Sequence, residues 1–209
     1  MSDWKLKAGK TFTDDEFMQF FAVARRSEPR IHLMMLLTYH AALKVSELIH
    51  LKVSDVVSEE RKLLVVPSKK SRIWRSKGAD GKVVIEDVDL PPSVPASIPQ
   101  IVIDVAIDYI LATKLAKGFL FPGHTKTCPV IGRKCKGGHI SKRDVQYLFN
   151  QICDKAGIQY HGRGIQSLRH VRLTKIARRT KDVHLVQEIG RHASVGMSRH
   201  YVNFAQNTK

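Results

Sequence analysis

Residues 164–204 read GIQSLRHVRLTKIARRTKDVHLVQEIGRHASVGMSRHYVNF, and the spacing of apolar positions in this stretch predicts three short helices in succession. Ser167 is placed to cap the first, ahead of Leu168, Val171 and a run of basic residues. Asp182 is placed to cap the second, whose apolar residues Val183, Val186 and Ile189 stop at Gly190, a residue type favoured at a helix C-terminus. Ser194 is placed to cap the third, where Met197, Tyr201 and Phe204 fall at i, i+4 and i+7 on one face. Across the three helices, Arg169, His192 and Tyr201 supply a guanidinium, an imidazole and a phenol that suit convergence on one phosphate.

The rest of the composition fits a polyanion partner. The 209 residues carry 35 Lys+Arg against 19 Asp+Glu, and the excess is concentrated: residues 121–209 hold 17 basic and 4 acidic side chains, residues 1–60 hold 8 and 9. A basic half on an otherwise near-neutral domain suits nucleic acid held against one surface, where phosphate neutralisation supplies affinity. With 43% hydrophobic residues the chain can bury a core as one domain, or one domain with arms. No apolar run is long enough to cross a bilayer and no basic-then-apolar leader is present, so a soluble, cytoplasmic protein is expected. Cys128, Cys135 and Cys153 give no even disulfide framework and fit a reducing compartment.

In chain order, residues 1–11 read as a flexible basic lead. Thr13-Asp14-Asp15-Glu16 has the form of a capping box, and the helix it opens carries Phe17, Phe20, Phe21 and Ala24 toward a core. After a break at Pro29, residues 30–43 are apolar on nearly every side, which predicts a helix through the middle of the domain. Residues 62–66 and 83–90 read as strands, joined by a polar segment with turn signals at Gly78 and Asp80-Gly81. Leu90-Pro91-Pro92 closes the sheet, and the Pro/Ser-rich run to Pro99 reads as a connection. A helix over 101–116 and a buried turn at Phe119-Leu120-Phe121-Pro122 follow. The glycine-rich, basic loop 123–138 and its margin hold His124, Cys128, Cys135 and His139 in an order that matches no structural zinc signature, so no metal is expected there and the loop reads as DNA-facing. Ser141 and Asp144 open an amphipathic helix with Val145, Leu148, Phe149 and Ile152 inward, ending at Gly157; Lys142 and Arg143 on its outer side can approach a duplex. Residues 206–209 form a short tail.

Leu168-Arg169-His170, then Gly190-Arg191-His192-Ala193-Ser194, then Tyr201 nine positions after His192, resemble the C-terminal signature of the tyrosine recombinases (phage integrases). Ala42-Leu43-Lys44-Val45-Ser46-Glu47-Leu48 is similar to the first motif of the same family, and the resemblance covers about residues 12–205. It implies an α+β, mainly helical catalytic domain over 12–205 with one small antiparallel three-stranded sheet. It also implies that Tyr201 attacks a phosphodiester to form a 3′-phosphotyrosine link, with Arg169 and Lys44 as phosphate clamps and Glu47 orienting its neighbours. Lys69, 25 residues after Lys44, would be the general acid, with Lys70 as the alternative. His192 would bond a phosphate oxygen or help the tyrosine lose its proton, while His170 reads as a structural histidine. Lys70, Arg72, Lys142, Arg143 and Arg172 are expected to contact DNA. Bond energy is retained in such a link, so no cofactor and no catalytic metal are expected.

Two positions depart from the family pattern. Lys44 stands where the family places an arginine, offering a point charge in place of a planar fork. Gln166 stands where the family usually has a histidine, and an amide carries no proton at neutral pH. Attenuated turnover is therefore expected, and a recombinase-derived DNA-binding regulator or architectural protein with little cleavage stays as the alternative. The resemblance further implies double-stranded DNA as partner and a homo-oligomer, a tetramer, on DNA. It finds no counterpart of the N-terminal helical domain of many family members, which leaves open a minimal recombinase or a catalytic fragment.

Overall fold

The computed structural model describes residues 11–57, 62–66, 73–77, 83–87, 93–123 and 138–207, with backbone only for 57, 73–77 and 83–87. The chain enters through α1 (Asp14–Arg25), whose capping box closes as expected: Thr13 Oγ1 accepts from the Glu16 N–H at 3.2 Å and Glu16 Oε2 accepts from the Thr13 N–H at 2.9 Å. Pro29 opens α2 (Pro29–His40), where its missing N–H costs nothing. Ile31, Leu33, Met34, Met35, Leu37 and Thr38 are all buried, so α2 is enclosed by α1, α4 (Gln100–Thr113) and α6 (Gln166–Thr180). The chain then turns sharply at Ala41 and Ala42, the latter left-handed at φ +47°, into α3 (Val45–His50).

A three-stranded antiparallel sheet follows, in the order β1 (Val56–Val57), β2 (Lys62–Val65), β5 (Val94–Ser97). The segment read as a second strand over 83–90 is β4 (Val83–Asp87), but it pairs with β3 (Ile73–Lys77) in a separate ribbon and not with β2. The Pro/Ser-rich run read as a connection is the strand that lies on β2, with Pro95 opposite Leu64. Its position at the sheet edge is where a proline without an N–H is tolerated. α4 ends at Thr113, three residues before the expected stop, and Lys114 caps it in the left-handed conformation at φ +54°.

Phe121 packs its ring 5.9 Å from Tyr109 of α4, and its carbonyl accepts from the Ile140 N–H at 2.9 Å, which pinches the base of the intervening loop. His124, Cys128 and Cys135 lie outside the described residues, while the His139 ring meets His50 at a tilt and Phe119 edge-on. α5 (Lys142–Lys155) is capped by Ser141 as expected and buries Val145, Phe149 and Ile152. Among the described residues no helix is long and apolar enough to cross a membrane.

The last three helices are α6, α7 (Val183–Gly190) and α8 (Val195–Asn207). Asp182 caps α7 by accepting from the N–H groups of His184 and Leu185, at 2.7 and 3.2 Å. Three details of the sequence reading change. Ser167 lies inside the first turn of α6, buried, and Ile165 precedes the helix. Gly190 is the last residue of α7, and the left-handed position falls on Arg191 at φ +49°; a Cβ on Gly190 would come 2.7 Å from the His192 ring, so close packing and not chain reversal requires glycine there. On α8 the inward positions are Ser198, Tyr201, Val202 and Ala205, while Met197 is 45% exposed, because the helix is rotated toward its smaller residues.

Two apolar clusters result. The larger joins α1 to α5 and the start of α6; the smaller comprises Ala42, Leu173, Ala177, Val186, Tyr201, Val202 and Ala205, and it presses the last three helices against the α2–α3 corner. Phe20, fully buried against the rings of Phe12 and Phe149 at 5.3 Å each, centres the larger one. Phe20→Ala is expected to lower unfolding free energy by about 3–5 kcal/mol in urea titration; a loss under about 1 kcal/mol would place the core elsewhere.

Candidate active site

The α2–α3 corner and the α7–α8 turn meet at Glu47. This carboxylate, 2% exposed, accepts from Arg191 Nη2 at 2.9 Å and from the Lys44 backbone N–H at 2.8 Å, both through Oε2. Lys44 Nζ stands 3.7 Å from Oε1 and donates to the Arg191 carbonyl at 3.4 Å. Arg191 Nη2 also donates to the carbonyls of Ala41 and Ala42, at 3.0 and 2.8 Å. Arg169, fully buried on α6, donates to the same Ala42 carbonyl and to that of Gly190. The left-handed Ala42 thus turns one carbonyl toward two guanidinium groups, a conformation that costs an alanine roughly 1–2 kcal/mol and that these bonds hold in place.

Three cations surround one carboxylate in this cluster. Burial opposes ionisation of Glu47, but Arg191, Arg169 and Lys44 outweigh it and hold the carboxyl below its ordinary range. Burial pushes the Lys44 ammonium down to about 8, with Arg169 and Arg191 adding to the shift and Glu47 opposing it. The surplus positive charge, poorly solvated, suits an incoming phosphodiester.

Tyr201 lies beside this cluster. Its ring lies near-parallel to that of His192, at 5.5 Å and 14°, and to that of His170, at 5.8 Å and 29°. Its hydroxyl shares a 2.8 Å hydrogen bond with His170 Nδ1 and is bonded by the Arg169 side chain. Burial raises the phenol to about 12 against the pull of Arg169, so the group is neutral at pH 7. His192 shares a 2.8 Å hydrogen bond between Nδ1 and Ser198 Oγ, and burial followed by repulsion from Arg169, Lys44 and Arg191 lowers it to about 3. It therefore enters as a neutral ring.

Of the residues selected from sequence, Arg169, His192, Tyr201 and Lys44 come together. Gln166 is half-buried as the first residue of α6, one turn before Arg169. Lys69, Lys70 and Arg72 lie outside the described residues. Lys142 and Arg143 are exposed in the first turn of α5. Arg172, half-buried, holds its guanidinium 5.7 Å from the centre of the Tyr39 ring and lines a cavity together with His40 and Arg191. Sequence reasoning gave Arg191 no role and read His170 as a structural histidine; the structure brings the first to Glu47 and the second to the Tyr201 hydroxyl. Arg191 sits inside a quoted motif, but a reading that ends the helix on Gly190 gives it no role; nothing in local pattern marks His170 as the partner of a phenol 31 residues on.

The mainly helical fold with its small sheet is that of tyrosine recombinase catalytic domains. It aligns with the crystal structure of the XerA recombinase at a TM-score of 0.70 and 17% identity, covering 99% of this chain and 64% of that one. It aligns with the Tn1549 transposon integrase, in complex with transposon right end DNA, at 0.66 and 16%, covering 96% and 62%. The chain belongs to the phage integrase family, whose model matches residues 10–208. Tyrosine recombinase XerH of Campylobacter jejuni is 30% identical over 175 residues, covering 84% of this chain and 41% of that protein, so this chain spans less than half of that relative.

Glu47→Gln leaves two buried cations without their counter-charge and is expected to lower stability at pH 7 by about 3 kcal/mol. Because the folded pKa of Glu47 lies below its ordinary 4.5, the difference between wild type and variant is full above that value and fades as pH falls through the lowered folded pKa. Thermal unfolding of both proteins across pH 3–7 measures it; a gap that does not shrink in acid would contradict the ion-pair assignment.

Proposed function

We propose that this chain is the catalytic part of a site-specific DNA recombinase, cutting and rejoining duplex DNA through a phosphotyrosine link at Tyr201. The observation that carries the reading is the Tyr201 hydroxyl held against Arg169 and His170 at the edge of a cluster with three cations and one carboxylate. Family membership and a DNA-bound structural neighbour support the partner.

In this mechanism Tyr201 Oη forms a bond to phosphorus as the bond from phosphorus to the 5′ oxygen breaks. The product is a 3′-phosphotyrosine and a free 5′-hydroxyl, and attack of a 5′-hydroxyl on such a link reverses the step. Arg169 and Lys44 bind the non-bridging oxygens, where charge grows in the transition state. The phenol must lose its proton to attack, and His170 Nδ1, at 2.8 Å, is the nearest acceptor for it. His192 bonds a phosphate oxygen from its stacked position. Lys69, or Lys70 beside it, protonates the leaving oxygen. Lys142 and Arg143 hold backbone phosphates, and protomers pair on two duplexes as a tetramer. The link stores the energy of the broken bond, so rejoining needs no nucleotide.

Turnover is attenuated in this reading because Lys44 offers one point charge, lowered to about 8, and Gln166 brings no proton. On a nicked suicide substrate carrying its own site, wild type is expected to accumulate a covalent protein–DNA complex that Tyr201→Phe does not form; no complex with wild type would end the enzyme reading in favour of a binding protein. The cleavage rate is expected to fall above about pH 8 as Lys44 deprotonates. Lys44→Arg is expected to abolish that fall and to raise the rate at pH 7 roughly tenfold; an unchanged or slower variant would remove Lys44 from the phosphate site.

A further inference from the structure

Resting on the reading of Tyr201 and Lys44 as phosphate-site groups, the geometry points to Arg191 as a positioning residue for cleavage: by occupying Glu47 it keeps that carboxylate from drawing the Lys44 ammonium into a close ion pair and away from the phosphate.

Glu47 is buried and ionised, so it takes a cation as its partner. Arg191 Nη2 reaches Oε2 at 2.9 Å, whereas the Lys44 ammonium stands 3.7 Å from Oε1. The arginine is therefore the closer counter-ion, although Lys44 is only three residues from Glu47 and Arg191 is 144 residues away. The same Nη2 bonds the Ala41 and Ala42 carbonyls, Nη1 donates to the Ile189 carbonyl at 3.1 Å, and the backbone carbonyl of Arg191 accepts from Lys44 Nζ. One residue thus sets the spacing between the corner that carries Lys44 and the turn that carries His192. A guanidinium fork can meet these divergent acceptors at once; an ammonium at position 44 cannot both neutralise Glu47 and face a phosphate at full strength.

Three charged groups act on Lys44 across this junction. Glu47 of α3 favours its charge, while Arg169 of α6 and Arg191 of the α7–α8 turn oppose it, and His192 beside them is neutral. Removing Arg191 deletes one opposing cation and releases Glu47 toward Lys44, and both changes move the Lys44 titration to higher pH. A residue that merely fastened the fold would not move it.

Arg191→Gly is the direct variant, because glycine takes φ +49° without strain. Relative to wild type it is expected to bind duplex within about twofold and to form the covalent complex on a suicide substrate roughly 10- to 100-fold more slowly. The alkaline fall of its rate is expected to move upward from about pH 8. The double variant with Lys44→Arg is expected to recover rate over Arg191→Gly alone and to show no alkaline fall. An Arg191→Gly protein that cleaves at the wild-type rate, or loses rate with the alkaline fall unmoved, overturns the proposal. Should that variant fail to fold, Arg191→Gln, which drops the charge but keeps a donor, is measured against the same two outcomes. The Lys44 titration is also read without DNA by NMR of labelled lysine, assigned with Lys44→Gln. If wild type forms no covalent complex, the Tyr201 reading fails, while an upward shift of the Lys44 titration in the Arg191 variants still upholds, and no shift still refutes, the control of Lys44 by Arg191.

Discussion

A single desolvated carboxylate organises this molecule. Glu47 is withdrawn from water at the meeting point of two turns that are far apart in sequence, and the donors gathered on its Oε2 together with the cations around it make its charge tolerable there. Arg191 reaches it from the end of α7, Lys44 presents its backbone N–H from the start of α3, and Arg169 stands close enough to add its field. Each of these contacts that is removed leaves the buried charge with less compensation. The two turns are consequently fixed relative to each other, and with them the phenol of α8, whose ring fills the small apolar cluster that Ala42 closes.

The same constraint shapes the chemistry. The cations outnumber the carboxylate, so the cluster stores a positive potential, and in the proposed reaction it would need little rearrangement as charge develops on a phosphorane. Burial keeps Tyr201 protonated, and its neighbours fix its hydroxyl against an arginine and an imidazole. Stability and reactivity thereby share one set of contacts. The left-handed backbone at Ala42 and at Arg191 marks where conformational preference gives way to the aiming of a carbonyl and of a guanidinium.

Much of this was legible in the chain. The caps at Thr13, Ser141 and Asp182 could be read because each is a local contact between a side chain and a backbone N–H two or three residues away. α2 could be read because a helix enclosed on every side needs apolar residues on every side. The gathering of Arg169, His192 and Tyr201 followed from spacing within one family-like stretch. What escaped was decided at a distance: β5 carries a proline and is a strand only because β2 lies beside it, and α8 turned Met197 outward because Ser198 and Tyr201 fit the space below. Arg191 escaped for the same reason, since its partner Glu47 is 144 residues away.

The most direct measurement is the mass of the active-site peptide after the protein is trapped on a nicked duplex carrying its own target, digested with nuclease and protease, and analysed by mass spectrometry. The expected result is a nucleotide remnant linked through phosphate to the peptide that contains Tyr201. A remnant on any other side chain, or none on a protein that binds the duplex, would contradict the placement of that phenol at the reacting phosphorus.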